Sequence, residues 1–138
     1  MSYNPSTSVD SSILAWGGTG GQIDNRSYPR YDDGLTTVVA VDTTAARTEI
    51  TAAGTLRNLR VTRALRVGNA GTDTITYYVR INGVDSALQC TMTDPATQAQ
   101  DLVNSVSVVA GDLVEIRAAI GDTPQNAVTI ISVQLDLT

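Results

Sequence analysis

Between Thr74 and Thr93 the chain alternates apolar and polar residues around a single Asn-Gly step. Ile75, Tyr77, Val79 and Ile81 interleave with Thr74, Thr76, Tyr78 and Arg80. After Asn82-Gly83, Leu88, Cys90 and Met92 interleave with Gln89, Thr91 and Thr93. A period of two gives each segment one apolar and one polar face, the pattern of a half-buried strand. Asn-Gly is the strongest short signal for the tight turn of a β-hairpin. A lone two-stranded hairpin is marginal in water. The rest of the chain must therefore supply more sheet to cover this apolar face.

It has the composition to do so. Thr and Val are abundant, Lys, His and Phe are absent, and all nine cations are Arg. Such a chain favours strands over helices. Strand-like runs occur at Leu35–Val41, Arg47–Thr51, Leu59–Val67, Val103–Val109, Leu113–Ile120 and Val128–Leu137, with Ala110-Gly111-Asp112 as a tight turn. With the hairpin, this predicts about eight strands at spacings of roughly 8–12 residues, a sandwich or barrel. The length of 138 residues suits one domain, and a single cysteine rules out an internal disulfide. Ile75, Tyr77, Val79, Ile81, Leu88, Cys90, Met92, Ile131, Val133 and Leu135 are the expected core.

One run is ambiguous. Arg57, Arg60, Arg63 and Arg66 recur every third residue. On a helix they would form a drifting stripe. On a strand they fall alternately on both faces, putting Arg63 beside Leu59, Val61 and Leu65, which requires a bulge or an acidic partner. Flanking glycines and neighbouring strands favour the strand.

Residues 1–34 differ. Asn4-Pro5, Trp16-Gly17-Gly18-Thr19-Gly20-Gly21 and Tyr28-Pro29 interrupt a segment without sustained period. It lacks the apolar surface to fold alone, yet it carries large apolar side chains. The expectation is an extended N-terminal anchoring arm over 1–34 and a sandwich over 35–138. The arm's partner-binding residues would be Ile13, Leu14, Trp16, Arg26, Tyr28, Arg30 and Tyr31, aromatic and arginine anchors of the kind that dominate protein contacts.

Three segments carry a family resemblance: Gly54-Thr55-Leu56-Arg57-Asn58-Leu59, Val79-Arg80-Ile81-Asn82-Gly83-Val84, and Val108-Val109-Ala110-Gly111-Asp112-Leu113-Val114. Through them the stretch Leu56–Leu137 resembles jelly-roll modules of phage virion proteins, of the capsid-decoration and head-fibre type. More distantly it resembles trimeric C1q/TNF-like domains. The resemblance implies an all-β, eight-stranded antiparallel jelly-roll β-sandwich, frequently trimeric, and carries over no catalytic residue. Tyr77 and Tyr78 are adjacent on one strand, so one faces away from the core. An outward aromatic seeks a partner, which makes Tyr78 and Arg80 the expected subunit interface.

Chemistry is sparse. Without histidine there is no Ser-His-Asp or Cys-His pair and no His-ligated metal, so neither an enzyme nor a cofactor is expected. Cys90 sits at an inward strand position and reads as core. Gly17–Gly21 lacks the lysine and preceding strand of a phosphate loop and reads as a hinge. Asp32-Asp33-Gly34 reads as a turn before a Ca²⁺ site. The arginines at 57–66 are expected to pair with acids or with a neighbouring subunit. Trp16, Tyr28 and Tyr31 suit a protein partner better than a sugar. A net charge of −5 argues against nucleic acid. No apolar run approaches the roughly 18 residues that span a bilayer, and MSYNPSTSVD has no signal-peptide pattern. The functional expectation is a non-enzymatic structural virion protein at the particle surface. It would be a capsid decoration, cementing or head-fibre protein, homotrimeric and attached by its arm to a capsid or other virion protein. The alternative is a receptor- or carbohydrate-binding module of a phage tail fibre.

Overall fold

The computed structural model describes residues 12–21, 26–27, 39–40, 46–63, 74–93, 96–120 and 128–138. Ten strand segments lie in this set: β1 (Ser12–Gly21), β2 (Arg26–Ser27), β3 (Val39–Ala40), β4 (Thr48–Glu49), β5 (Gly54–Arg63), β6 (Thr74–Ile81), β7 (Val84–Thr93), β8 (Gln98–Val108), β9 (Leu113–Ile120) and β10 (Val128–Leu137). They form two sheets. The first has the order β1-β10-β5-β8, and the second β3-β2-β9-β6-β7 with β4 also on β9. All pairings are antiparallel. The chain passes from one sheet to the other after β1, β4, β5, β7, β8 and β9. The two short segments β2 and β4 share one edge of β9, against Ala118–Arg117 and Val114–Leu113 respectively. Together they fill an eighth position beside the seven long strands. This is the expected antiparallel jelly-roll sandwich.

The alternation sets the core. Along β6, Ile75, Tyr77 and Val79 are buried while Thr74, Thr76, Tyr78 and Arg80 are not; along β7, Leu88, Cys90 and Met92 are buried. They meet Leu56, Leu59, Val61, Val108, Val133 and Leu135 from the first sheet, with Val114, Ile116 and Ala118 of β9. Ile81 is half-buried and packs against the same cluster. The side chain of Ile131 lies outside the described residues.

The arginine run is a strand with a bulge. Asn58 has a φ of 57°, in the left-handed region that Asn tolerates better than most residues. Here the β5 register shifts against both β8 and β10. Leu56 and Leu59, three apart, therefore both face the core. Asn58 Nδ2 donates to Asp136 Oδ2 at 2.8 Å, and Arg60 reaches Asp136 Oδ1 at 2.9 Å. The bulge precedes Leu59 and Val61, and the acidic partner belongs to Arg60; neither bears on Arg63, the inward position for which the spacing asked one of them. The side chain of Arg63 and all of Leu65 and Arg66 lie outside the described residues.

The N-terminal segment departs from the expectation. Ser12–Gly21 is not an extended arm. It is an edge strand of the first sheet, paired with β10 in unbroken register from Ser12↔Leu137 to Gly21↔Val128. Trp16 is 0% exposed and belongs to the core, and its indole Nε1–H donates to the carbonyl of Ala46 at 2.8 Å. Arg26 lies in β2, within the second sheet. The division at residue 34 is therefore corrected, because both sheets draw strands from the first 34 residues. The reason is that a strand's pairing groups are backbone atoms, which glycines carry as well as any residue. One large side chain in place of an alternating series then suffices to seat the strand.

Candidate functional site

Two surfaces concentrate the chemistry that the fold leaves over. The first is the outer face of β6 and β9. Arg80 places Nε on Glu115 Oε1 at 3.2 Å, Nη1 on Asp85 Oδ1 at 3.1 Å and Nη2 on the carbonyl of Gly83 at 2.6 Å. Arg117 grips the same Asp85, with Nε on Oδ1 at 3.2 Å and Nη2 on Oδ2 at 2.6 Å. Its guanidinium lies over the ring of Tyr78, 4.7 Å from the centroid, a cation–π stack. Glu115 is 1% exposed. Burying a carboxylate is tolerable only with a cation against it, which Arg80 supplies. Asp85 is pushed up by burial, but its bonds to Arg117 and the charges of Arg117 and Arg80 outweigh this and hold its carboxyl below the usual range. Tyr78 and Arg80, the expected interface pair, are thus both engaged within the chain.

The second surface is where the sheets' outermost strands, β7 and β8, run close together. In β8, Leu102, Val103 and Asn104 stand opposite the single residue Asn58, between the pairs Leu59↔Asp101 and Arg57↔Ser105. Asp101, 7% exposed, holds this bulge. Its Oδ1 accepts from the N–H groups of Val103 and Asn104, both at 3.0 Å. Its Oδ2 accepts Asn104 Nδ2 at 2.8 Å and, across the sandwich edge, the N–H of Gln89 on β7 at 3.2 Å. Burial pushes the carboxyl up, but these four donors outweigh it and hold Asp101 in its charged form below the usual range. Neighbouring strand residues normally face opposite ways. The bulge breaks that rule, so Leu102 is 55% and Val103 91% exposed side by side. Inside the same edge, burial first and the negative charge of Asp101 second push the Cys90 thiol up to about 12. It stays protonated and serves as packing.

The expected arm residues are not brought together as one binding surface. Trp16 is core, and Leu14 packs against the core. Ile13 and Arg26 lie in β1 and β2, with their side chains outside the described residues. Tyr28, Arg30, Tyr31 and Asp32-Asp33-Gly34 fall outside the described residues altogether. Sequence reasoning missed Asp101. The signal was an Asp followed by Asn three residues later inside a β-rich run, a pairing that favours local side-chain-to-backbone bonds. Among the described residues, no group of three or more Cys, Asp or Glu is placed to hold a metal ion.

No protein-family model matches the chain, and no curated protein matches it. Solved structures do. An Eiger TNF from S. frugiperda superposes with a TM-score of 0.52 at 10% identity, covering 93% of this chain and 92% of that one. The likeness is one of fold. Murine APRIL aligns over 91% of this chain and 99% of its own with a TM-score of 0.44 at 11% identity. The first match places the two-sheet arrangement among TNF-like jelly rolls.

Proposed function

We propose that this protein is a non-enzymatic structural module that works by contact with other protein chains, as a homotrimeric subunit at the surface of a virion. The observation that carries this is the Leu102–Val103 display. A chain that buries a carboxylate and directs four donors onto it, so that two adjacent large apolar residues face water, has a use for that pair at a protein contact. The trimeric state follows the resemblance to C1q/TNF-like and phage jelly rolls. The Tyr78–Arg117–Arg80 face is a second surface offered to a neighbouring subunit. With β1 built into the sandwich, attachment to a capsid or other virion protein falls to residues before Ser12 and to Tyr28, Arg30 and Tyr31. Within this reading the protein is a decoration, cementing or head-fibre protein.

Two measurements test it. The double variant Leu102→Asp/Val103→Asp changes only exposed side chains, so it should keep its β-sheet circular dichroism while light scattering shows it falling from trimer to monomer. A wild-type protein that is monomeric at micromolar concentration defeats the self-association. Deleting residues 1–11 should abolish binding to particles that lack the protein without unfolding it. Undiminished binding would leave the attachment to Tyr28, Arg30 and Tyr31, and a Tyr28→Ala/Arg30→Ala/Tyr31→Ala variant that also binds undiminished would place it on the sandwich instead.

A further inference from the structure

The turn between β6 and β7 holds an Asn-Gly step in a setting that bears on its chemistry. Asn82 and Gly83 have φ values of 51° and 82°, the two left-handed residues of a type I′ turn. The backbone N–H of Asn82 donates to the carbonyl of Leu113 at 2.8 Å. Its side chain is held at both atoms by the neighbouring β8–β9 turn. Oδ1 accepts the N–H of Leu113 at 2.9 Å, and Nδ2 donates to Asp112 Oδ1 at 2.9 Å. The other oxygen of Asp112 accepts the N–H of Val109 at 2.9 Å. The carbonyl of Asp112 accepts from Ile50, and the carbonyl of Ile50 from Gly111, at 2.8 and 2.7 Å. On the other side of the susceptible bond, Arg80 Nη2 holds the carbonyl of Gly83 at 2.6 Å. The Asn82 amide therefore ties the β6–β7 turn to the β8–β9 turn, and that turn is itself bonded through its backbone to Ile50.

An asparagine followed by glycine is prone to cyclise, because glycine leaves its own nitrogen unhindered. The Gly83 nitrogen attacks Asn82 Cγ and a C–N bond closes a succinimide. The Cγ–Nδ2 bond breaks, and the amide leaves as ammonia, taking the proton that Gly83 nitrogen gives up. Water then opens the ring to aspartate or isoaspartate. Ring closure must bring Cγ onto the Gly83 nitrogen, which takes both amide atoms out of their bonds to Leu113 and Asp112.

We infer that Asn82 is a latent deamidation site that the folded chain guards through Asp112 and Leu113, and that its conversion opens the clamp. The aspartate product carries a carboxylate where Nδ2 met Asp112, while isoaspartate routes the main chain through Cγ and leaves no amide there to donate. In the aspartate product two carboxylates face each other at hydrogen-bond range, where the intact amide donated. The turn is a one-way chemical mark of age: the intact amide fastens the hairpin to the β8–β9 turn, and the converted residue does not.

The test follows isoaspartate and aspartate at position 82 by peptide mass spectrometry, at one pH and temperature. Conversion in the folded chain should be about tenfold or more slower than in the same chain in urea, the factor set by breaking the two amide hydrogen bonds. Asp112→Ala, with its fold checked by circular dichroism, should raise the folded-state rate severalfold. Equal rates in folded and unfolded wild type overturn the guarding. So does a folded Asp112→Ala with an unchanged rate. Asn82→Asp, made directly, tests the opening without waiting for the reaction. Its melting temperature should lie below wild type at neutral pH, and the gap should close as the two carboxylates protonate in acid. An unchanged melting temperature at neutral pH overturns the switch.

Discussion

β1 and the β6–β7 hairpin are both core-forming, yet they reach the core by different means. The hairpin places an apolar residue inward at every second position, so its burial is spread over six side chains from Ile75 to Met92. β1 is glycine-rich and contributes Trp16, with Leu14 beside it at the margin. A distributed face announces itself as a period. A single anchor on a glycine-rich strand has no period, and its ten residues are fixed by pairing with β10. The difference teaches that a periodic face is sufficient evidence of a strand and not a necessary one.

The largest test of this contrast is truncation of the anchor. Trp16→Ala should cost about 3–5 kcal/mol, and Leu88→Ala in the hairpin about 2–5 kcal/mol, both read from denaturant midpoints. If the hairpin loss matches expectation and the Trp16 loss is negligible, β1 is not part of the folding unit and the arm reading returns. Trp16 is the only tryptophan, so emission of a water-exposed indole in the native protein would say the same without a variant.

A smaller effect is expected at the tie between β7 and β8. Asp101→Ala leaves the N–H groups of Gln89, Val103 and Asn104 without their acceptor and should cost about 2–3 kcal/mol. Because the folded carboxyl lies below its ordinary value, its stabilisation is present above the unfolded pKa of about 4 and is lost as the pH falls through the lower folded value. Wild type should therefore lose stability below about pH 4 more steeply than Asp101→Ala. Parallel acid profiles would show that Asp101 does not hold the hairpin to the first sheet.

The smallest effect is on β1's own side of the sandwich. A Cβ on Gly54 would lie 2.9 Å from both Leu137 Cδ1 and the carbonyl oxygen of Thr138. That backbone oxygen cannot easily yield, since it accepts the N–H of Thr55 at 2.9 Å. Gly54→Ala should cost about 1–3 kcal/mol. A neutral result in thermal melts would mean that the end of β10, against which Ser12 pairs, is looser than β6 and β7.

Much of the fold was legible because β-structure writes its burial into sequence with a period of two. The hairpin, its Asn-Gly turn, β9 and the last strand all announced themselves this way, and the run of arginines, read as a strand, is one through Arg63. β8 was legible only from Val103 onward. Its first half, Gln98–Leu102, is polar and interrupted by the bulge, so alternation fails there. The candidate site was less legible than the fold. Arg80 and Tyr78 were singled out for facing away from the core, but their partners Glu115, Asp85 and Arg117 come from other positions in the chain, and nothing in a linear pattern pairs them.

By itself, then, the sequence determined the class of structure. Strand-forming residues, one-sided alternation and turn residues are local properties, and each acts within a few residues. Tertiary structure alone decided that Trp16 is core, because the carbonyl of Ala46 and the edge of β10 that receive it are distant in sequence. It also decided that Asp101 lies buried while Leu102 and Val103 face water. The donors that hold that carboxylate come from two strands in different sheets, and only folding brings them to one point.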